Sequence, residues 1–484
     1  MRSITEIVKQ FKRNWTEEVN PANIERACRE CGMHWIDSML NPVVTMQIFF
    51  LQVLHGNTAC TELPHLARMT FTAAGYCKAR MRIKIEVFQL LLSRCVDSLE
   101  QQTLDTGRWF GHRVFMVDGS NFSMADTPAL QAFFGQPTGQ QSGCGFPVAH
   151  WLVLMHMGTG MITKMLTSPL RTGDMSRMAE LHPELQANDV LAADRAFCSF
   201  PHLCLLIERG VHAVLRIHQQ TIVDFTPGRV HAVPGKGKAS TRKGLPRSRW
   251  VRSLGKADQI VVWLKNPQSK PRWMSVEQFS ALPDEITVRE LRYEVHQKGF
   301  RTKTVTLVTT LLDADVYSFT DLAELYHRRW EIETNFGHVK TTMKMDVLKC
   351  KTVDGVLREL HVFALIYNLI REVMLQAAKQ QGVPVNRISF IDAMRWLDAA
   401  QFGDELSRLG VLPDRPNRYE PRVKKTTTKT IQADEQTSKA AERRTCRLST
   451  YRDVNAIRTC PRFPNRFSPT MEKAEPTSWM AVPA

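Results

Sequence analysis

Tyr326-His-Arg-Arg329-Trp-Glu-Ile-Glu333-Thr-Asn-Phe-Gly-His-Val-Lys340 lies inside a run, Thr320 to Met345, that reads as one long helix. At about 100° per residue, Tyr326, Arg329, Glu333 and Lys340 fall within about 60° of the helix circumference. One face therefore presents a phenol, a guanidinium, a carboxylate and an ammonium in a row. A solvated helix with an Arg329–Glu333 ion pair would use two of these groups and gain a few tenths of a kcal/mol. That reading leaves unexplained why a carboxylate stands among three groups suited to binding phosphate.

Two further carboxylates end apolar runs upstream. In Arg113-Val-Phe-Met-Val-Asp118-Gly-Ser the acid leaves a strand-like segment, and Asp189-Val-Leu-Ala-Ala-Asp194-Arg-Ala-Phe repeats the arrangement. Each has an ordinary alternative. Asp118-Gly119 is also a hairpin-turn signal, and Asp194 could cap a helix or pair with Arg195. Taken with Glu333 they form a set of hard oxygen ligands suited to Mg²⁺ or Mn²⁺, as a pair of ions about 3.5–4 Å apart would need for phosphodiester transfer.

Outward from these acids the chain changes texture several times. Residues 1–108 read as helical, with three- and four-residue apolar spacing in Pro42 to Leu54 and Val87 to Leu99. Within them Leu63 to Met69 and Thr72 to Ile83 read either as a helix-turn-helix or as a merely solvated basic helix carrying Lys78, Arg80, Arg82 and Lys84. Residues 109–221 alternate short apolar strands with helices such as Arg177 to Glu184 and Pro201 to Arg209, which predicts a mixed α/β sheet. Residues 222–306 read as a β-rich insertion, with strands at Gln259 to Leu264 and Thr287 to Val295. Its stretch Arg229 to Lys256 holds nine Lys or Arg and no acid, so Lys236, Lys238, Arg242 and Lys243 are candidate phosphate contacts. Residues 307–400 return to long helices, and 401–484 read as a basic, disordered tail.

The whole composition fits a nucleic-acid partner. A chain of 484 residues with 43% hydrophobic and 23% charged residues is globular, and its net charge of +16 attracts polyanions. Apolar stretches such as Trp151 to Met157 and Val362 to Ile370 are far shorter than the ~20 residues that cross a bilayer, so no membrane span is expected. The N-terminus has no apolar signal segment, from which a cytoplasmic, nucleoid-associated location is expected. Eleven scattered cysteines read as reduced thiols, and Cys28, Cys31 and His34 lack a second ligand pair nearby, which favours a structural role over zinc.

The spacing Tyr326, two residues, Arg329, three residues, Glu333, six residues, Lys340 resembles the signature of the DDE transposases of bacterial insertion sequences, in the insertion sequence four family. Asp118 and Asp194 match that family's first and second acidic positions in order and context, and the resemblance covers roughly residues 30–425. It implies a ribonuclease H-like catalytic core interrupted by the β-rich insertion, behind an N-terminal helical DNA-binding domain. It further implies two Mg²⁺ or Mn²⁺ ions on Asp118, Asp194 and Glu333, and phosphate contacts from Tyr326, Arg329 and Lys340. The expected partners are terminal inverted repeats and target DNA, bound by a homodimer. Where relatives stack a flipped base on a tryptophan, the aligned residue here is Val305; Trp250, Trp263 and Trp273 are the candidate substitutes, each with ordinary packing as the alternative. The alternative function is a catalytically inactive DNA-binding regulator or decayed copy.

Overall fold

A computed structural model describes residues 19–102, 107–139, 141, 145–170, 172, 174–232, 244–295, 304–399 and 406–413. Five helices come first: α1 (Pro21–Glu30), α2 (Pro42–Leu54), α3 (Leu63–Ala67), α4 (Ala73–Arg82) and α5 (Ile85–Gln102). Local chemistry sets where several begin. Asn20, Asn41 and Thr72 each accept the backbone N–H three residues on, and proline opens α1 and α2, where its missing N–H costs nothing.

The centre is one sheet of β1 (Val114–Met124), β2 (Val148–His156), β3 (Ile162–Pro169), β4 (Val190–Ala193), β5 (His212–Arg216), β6 (Ser248–Gly255), β7 (Asp258–Leu264), β8 (Glu285–Glu294) and β9 (Thr304–Thr309). Their order is 3-2-1-4-5-9-8-7-6, and the short β10 (Val347–Leu348) pairs with the far end of β1. β1, β4 and β5 run parallel, while β2 runs against both β1 and β3. From β9 to β6 every pairing is antiparallel, and β9 joins β5 directly. The strands of 222–306 therefore extend the central sheet instead of forming one of their own.

Two-residue alternation explains how both faces are covered. Val114, Met116, Trp151, Val153, Val190, Ala192 and Val214 point to one side, into a core shared with α12 (Val353–Gln381). Phe115, Val117, Leu152, Leu154, Leu191, Ala193, Ala213 and Leu215 point to the other, against α8 (Phe200–Glu208). A helix apolar all round is a buried one, and α12 is buried along nearly its whole length. Asn368 on α12 both donates to and accepts from the Ile162 backbone, at 2.8 and 2.9 Å, which completes the start of β3. The N-terminal helices share this core through Met46, Phe49, Phe50, Val87, Phe88 and Leu91, so they pack with the sheet. No helix among the described residues is long and apolar enough to cross a membrane.

Other differences concern helix ends. The remaining helices are α6 (Pro128–Phe134), α7 (Asp174–Met178), α9 (Val276–Ala281), α10 (Phe319–Arg328), α11 (Glu331–Gly337) and α13 (Phe390–Ala399). The run Arg177 to Glu184 is not one helix but the end of α7 and a separate 3₁₀ turn at His182–Glu184. The run Thr320 to Met345 breaks twice, at Arg329–Trp330 between α10 and α11 and at a π-turn over His338–Thr342, where the Met343 N–H bonds the His338 carbonyl five residues back. Lys236, Lys238, Arg242, Lys243 and most of 401–484 lie outside the described residues.

Candidate active site

Strand register places the first two acids. Val117 of β1 pairs with Ala193 of β4, so Asp118 and Asp194 each come directly after a matched pair on neighbouring parallel strands, which lie ~5 Å apart. Two-residue alternation then puts Asp118 on the same face of the sheet as Met116, and Asp194 on that of Ala192, which is the face that α12 covers. Arg216 shares this face, because Ala193 pairs with Leu215 and Arg216 is the next residue of β5. The ordinary alternatives given for these two acids do not apply. Asp118 lies inside an eleven-residue strand and not at a hairpin turn. The Asp194 carboxylate makes no cap hydrogen bond to the 3₁₀ turn that follows it, and Arg195 reaches Gln219 Oε1 instead, at 2.5 Å.

The third acid arrives from α11, and a single arginine links it to the first. Arg329 Nη1 stands 3.5 Å from Asp118 Oδ2, and its Nη2 stands 3.8 Å from Glu333 Oε1. Arg329 is only 4% exposed, so this cation sits inside the site and not on its rim. The Tyr326 hydroxyl donates to Asp194 Oδ1 at 3.3 Å, and Arg216 Nη1 lies 3.8 Å from the same oxygen. Lys340 projects from the π-turn towards β1, where Nζ donates to Ser120 Oγ at 3.2 Å and to the Asn121 carbonyl at 2.9 Å. The break at Arg329–Trp330 means that one straight helix does not align these groups; two short helices and a π-turn do.

Electrostatics follow from the crowding. Burial pushes the Asp118 carboxyl up to about 6, against the pull of Arg329 and of the Gly119 N–H, and the negative charges of Asp194 and Glu333 add to the rise. Burial likewise raises the Tyr326 phenol, which therefore acts as a neutral donor, and lowers the Lys340 ammonium. Among the described residues no group of three or more His, Cys, Asp and Glu side chains is close enough to grip one ion as it stands.

Strand-end logic applied to Val211 to Ile217 would have found Arg216; Ser120 and Asn121 carry no signal beyond lying two and three residues past Asp118. Two of the three candidate tryptophans have partners of their own. Trp263 Nε1 donates to Glu290 Oε1 at 2.8 Å, Trp273 stacks on His202 at 4.7 Å, and Trp250 lies on β6. Val305 is buried on β9, opposite Tyr293.

Known proteins resemble this chain along most of its length. The family model described as "Transposase DDE domain" matches residues 109–369. The chain is 25% identical over 367 residues to the transposase InsG for insertion sequence element IS4 of Escherichia coli K12, which covers 72% of this chain and 75% of that one. It is 22% identical over 134 residues to the putative transposase InsZ of the same organism, covering 28% of this chain and 45% of InsZ. Among solved structures, the piggyBac transposase synaptic complex with hairpin DNA aligns with 82% of this chain and 80% of its own, at 10% identity and a TM-score of 0.41. Since the family match spans more than half of the chain and takes in Asp118, Asp194 and Glu333, the chain belongs to the DDE transposases, of the insertion sequence four kind.

Proposed function

We propose that this chain cuts DNA at the ends of a mobile element and joins them to target DNA by in-line displacement at phosphorus. The observation that carries the reading is the meeting of three acids from distant parts of the chain around Arg329 and Tyr326. Strand order 3-2-1-4-5, with β2 alone running against the others, supports a ribonuclease H-like core, and β6 to β9 then form its β-rich insertion. The DNA-binding role of the N-terminal helices is supported by α4, where Lys78 and Arg82 face solvent although Arg80 turns inward.

The donor set fits two Mg²⁺ or Mn²⁺ ions on Asp118, Asp194 and Glu333. All are hard carboxylate oxygens, and burial makes the charged form of Asp118 costly, a cost that a bound cation would relieve. Such ions would activate the attacking oxygen and take up charge on the leaving one. The chain's own cations do the positioning. Arg329, Arg216 and Lys340 bind backbone phosphates, Tyr326 donates a hydrogen bond, and Arg329 exchanges its carboxylate partners for phosphate as DNA enters. The protein works as a homodimer on paired inverted repeats, inside the cell with the nucleoid.

A supercoiled-plasmid nicking assay with Mn²⁺ tests the reading. Wild-type protein nicks, whereas Asp194→Asn and Glu333→Gln bind end DNA without nicking. Equal nicking by all three removes the metal-site assignment, and a wild type that binds ends but never nicks is the inactive regulator.

A further inference from the structure

The loop after α2 and the helix α4 bring two half-buried thiols into contact, with Cys60 Sγ and Cys77 Sγ 3.8 Å apart. Beside them lies a half-buried cation. Arg80, one turn beyond Cys77 on α4, donates to Gln52 Oε1 at 3.1 Å and to Cys350 Sγ at 3.3 Å, and packs over the Phe49 and Tyr76 rings. No carboxylate among the described residues comes within ion-pair distance of it. Burial works against the charged form of Arg80, and the neighbours that favour it are, in order, Cys350, Tyr76, Cys60 and Glu359. Reactive cysteines are found in such electropositive, partly exposed places. Burial pushes the Cys60 thiol up, and Arg80 is the strongest influence drawing it back down.

We infer that Cys60 and Cys77 are an oxidisable pair that a hydroperoxide converts to a disulfide. One thiolate attacks the peroxide oxygen, the O–O bond breaks, and the leaving oxygen departs as water or alcohol after taking a proton. The sulfenic acid left behind is attacked by the second thiolate; the S–S bond forms and the hydroxyl leaves as water. The two sulfurs together lose two electrons, which reduce the peroxide. The bond closes a loop that contains α3 and holds α4, with its outward Lys78 and Arg82, against the end of α2.

The test treats the folded full-length chain with hydrogen peroxide, alkylates the remaining thiols and maps the peptides without reduction. A Cys60–Cys77 cross-link is expected, with mass lower by two hydrogens, reversed by dithiothreitol, and with alkylation at both positions down about tenfold. In Cys77→Ser the sulfenic acid on Cys60 persists and is trapped by dimedone. Arg80→Gln slows the oxidation several-fold. Full alkylation of both thiols after peroxide, or cross-links that form only in denatured protein, would overturn the assignment. If Arg80→Gln fails to fold, the peptide map of the wild type still decides.

Discussion

Replacing Asp118 by Asn should stabilise the protein while removing its chemistry. The Asp118 carboxyl is raised from its ordinary 3.8 to about 6, so the folded chain holds its proton more tightly than the unfolded chain does. For an acid shifted this way, the cost of ionisation is absent below about pH 4 and grows as pH rises towards about 6. Two units at ~1.36 kcal/mol each give about 3 kcal/mol at about pH 8. Asparagine resembles the protonated acid, so Asp118→Asn is expected to be more stable by about that amount at about pH 8 and equal to wild type near about pH 4. Urea unfolding at several pH values measures the difference. If Asp118 holds metal as proposed, adding Mg²⁺ should narrow it on the alkaline side, because ions would bind the folded wild type more tightly than the variant. A variant no more stable than wild type in alkaline buffer, or a gap that does not shrink on acidification, would refute the reasoning.

Two further outcomes follow from the geometry. Lys340→Ala should weaken end-DNA binding and reduce its salt dependence by about one unit of slope; an unchanged slope would make Lys340 a tether to Ser120 and Asn121 only. Gly160→Ala should cost roughly 2 kcal/mol or more in chemical denaturation, because φ is +71° and an added Cβ would overlap the Arg371 guanidinium that bonds the Thr159 carbonyl. A neutral result would mean that the turn shifts freely.

Much of the site was legible because strand ends and side-chain spacing are local signals. Asp118 and Asp194 each follow an unbroken apolar run, and such runs mark strands buried on both faces. What could not be read depends on partners distant in the chain. The joining of β5 to β9 spans about ninety residues and has no local mark. The inward turn of Arg80 depends on Gln52 and Cys350, which helical periodicity does not register. The breaks around Glu333 arise in a segment whose composition suits a continuous helix.

The five-residue hydrogen bond closing on Met343 also bears on how this chain tolerates change in length. A π-turn holds one residue more than the regular coil around it, so losing a residue between His338 and Thr342 would relax the backbone into an ordinary spiral. Val339, within the turn, would have to keep its place in the core for the shortened chain to fold. Yet with a residue lost ahead of Lys340 the lysine would swing by about 100°, parting it from Ser120 and Asn121 of β1. At this place a harmless-looking deletion would uncouple the backbone's regularity from the placement of one cation.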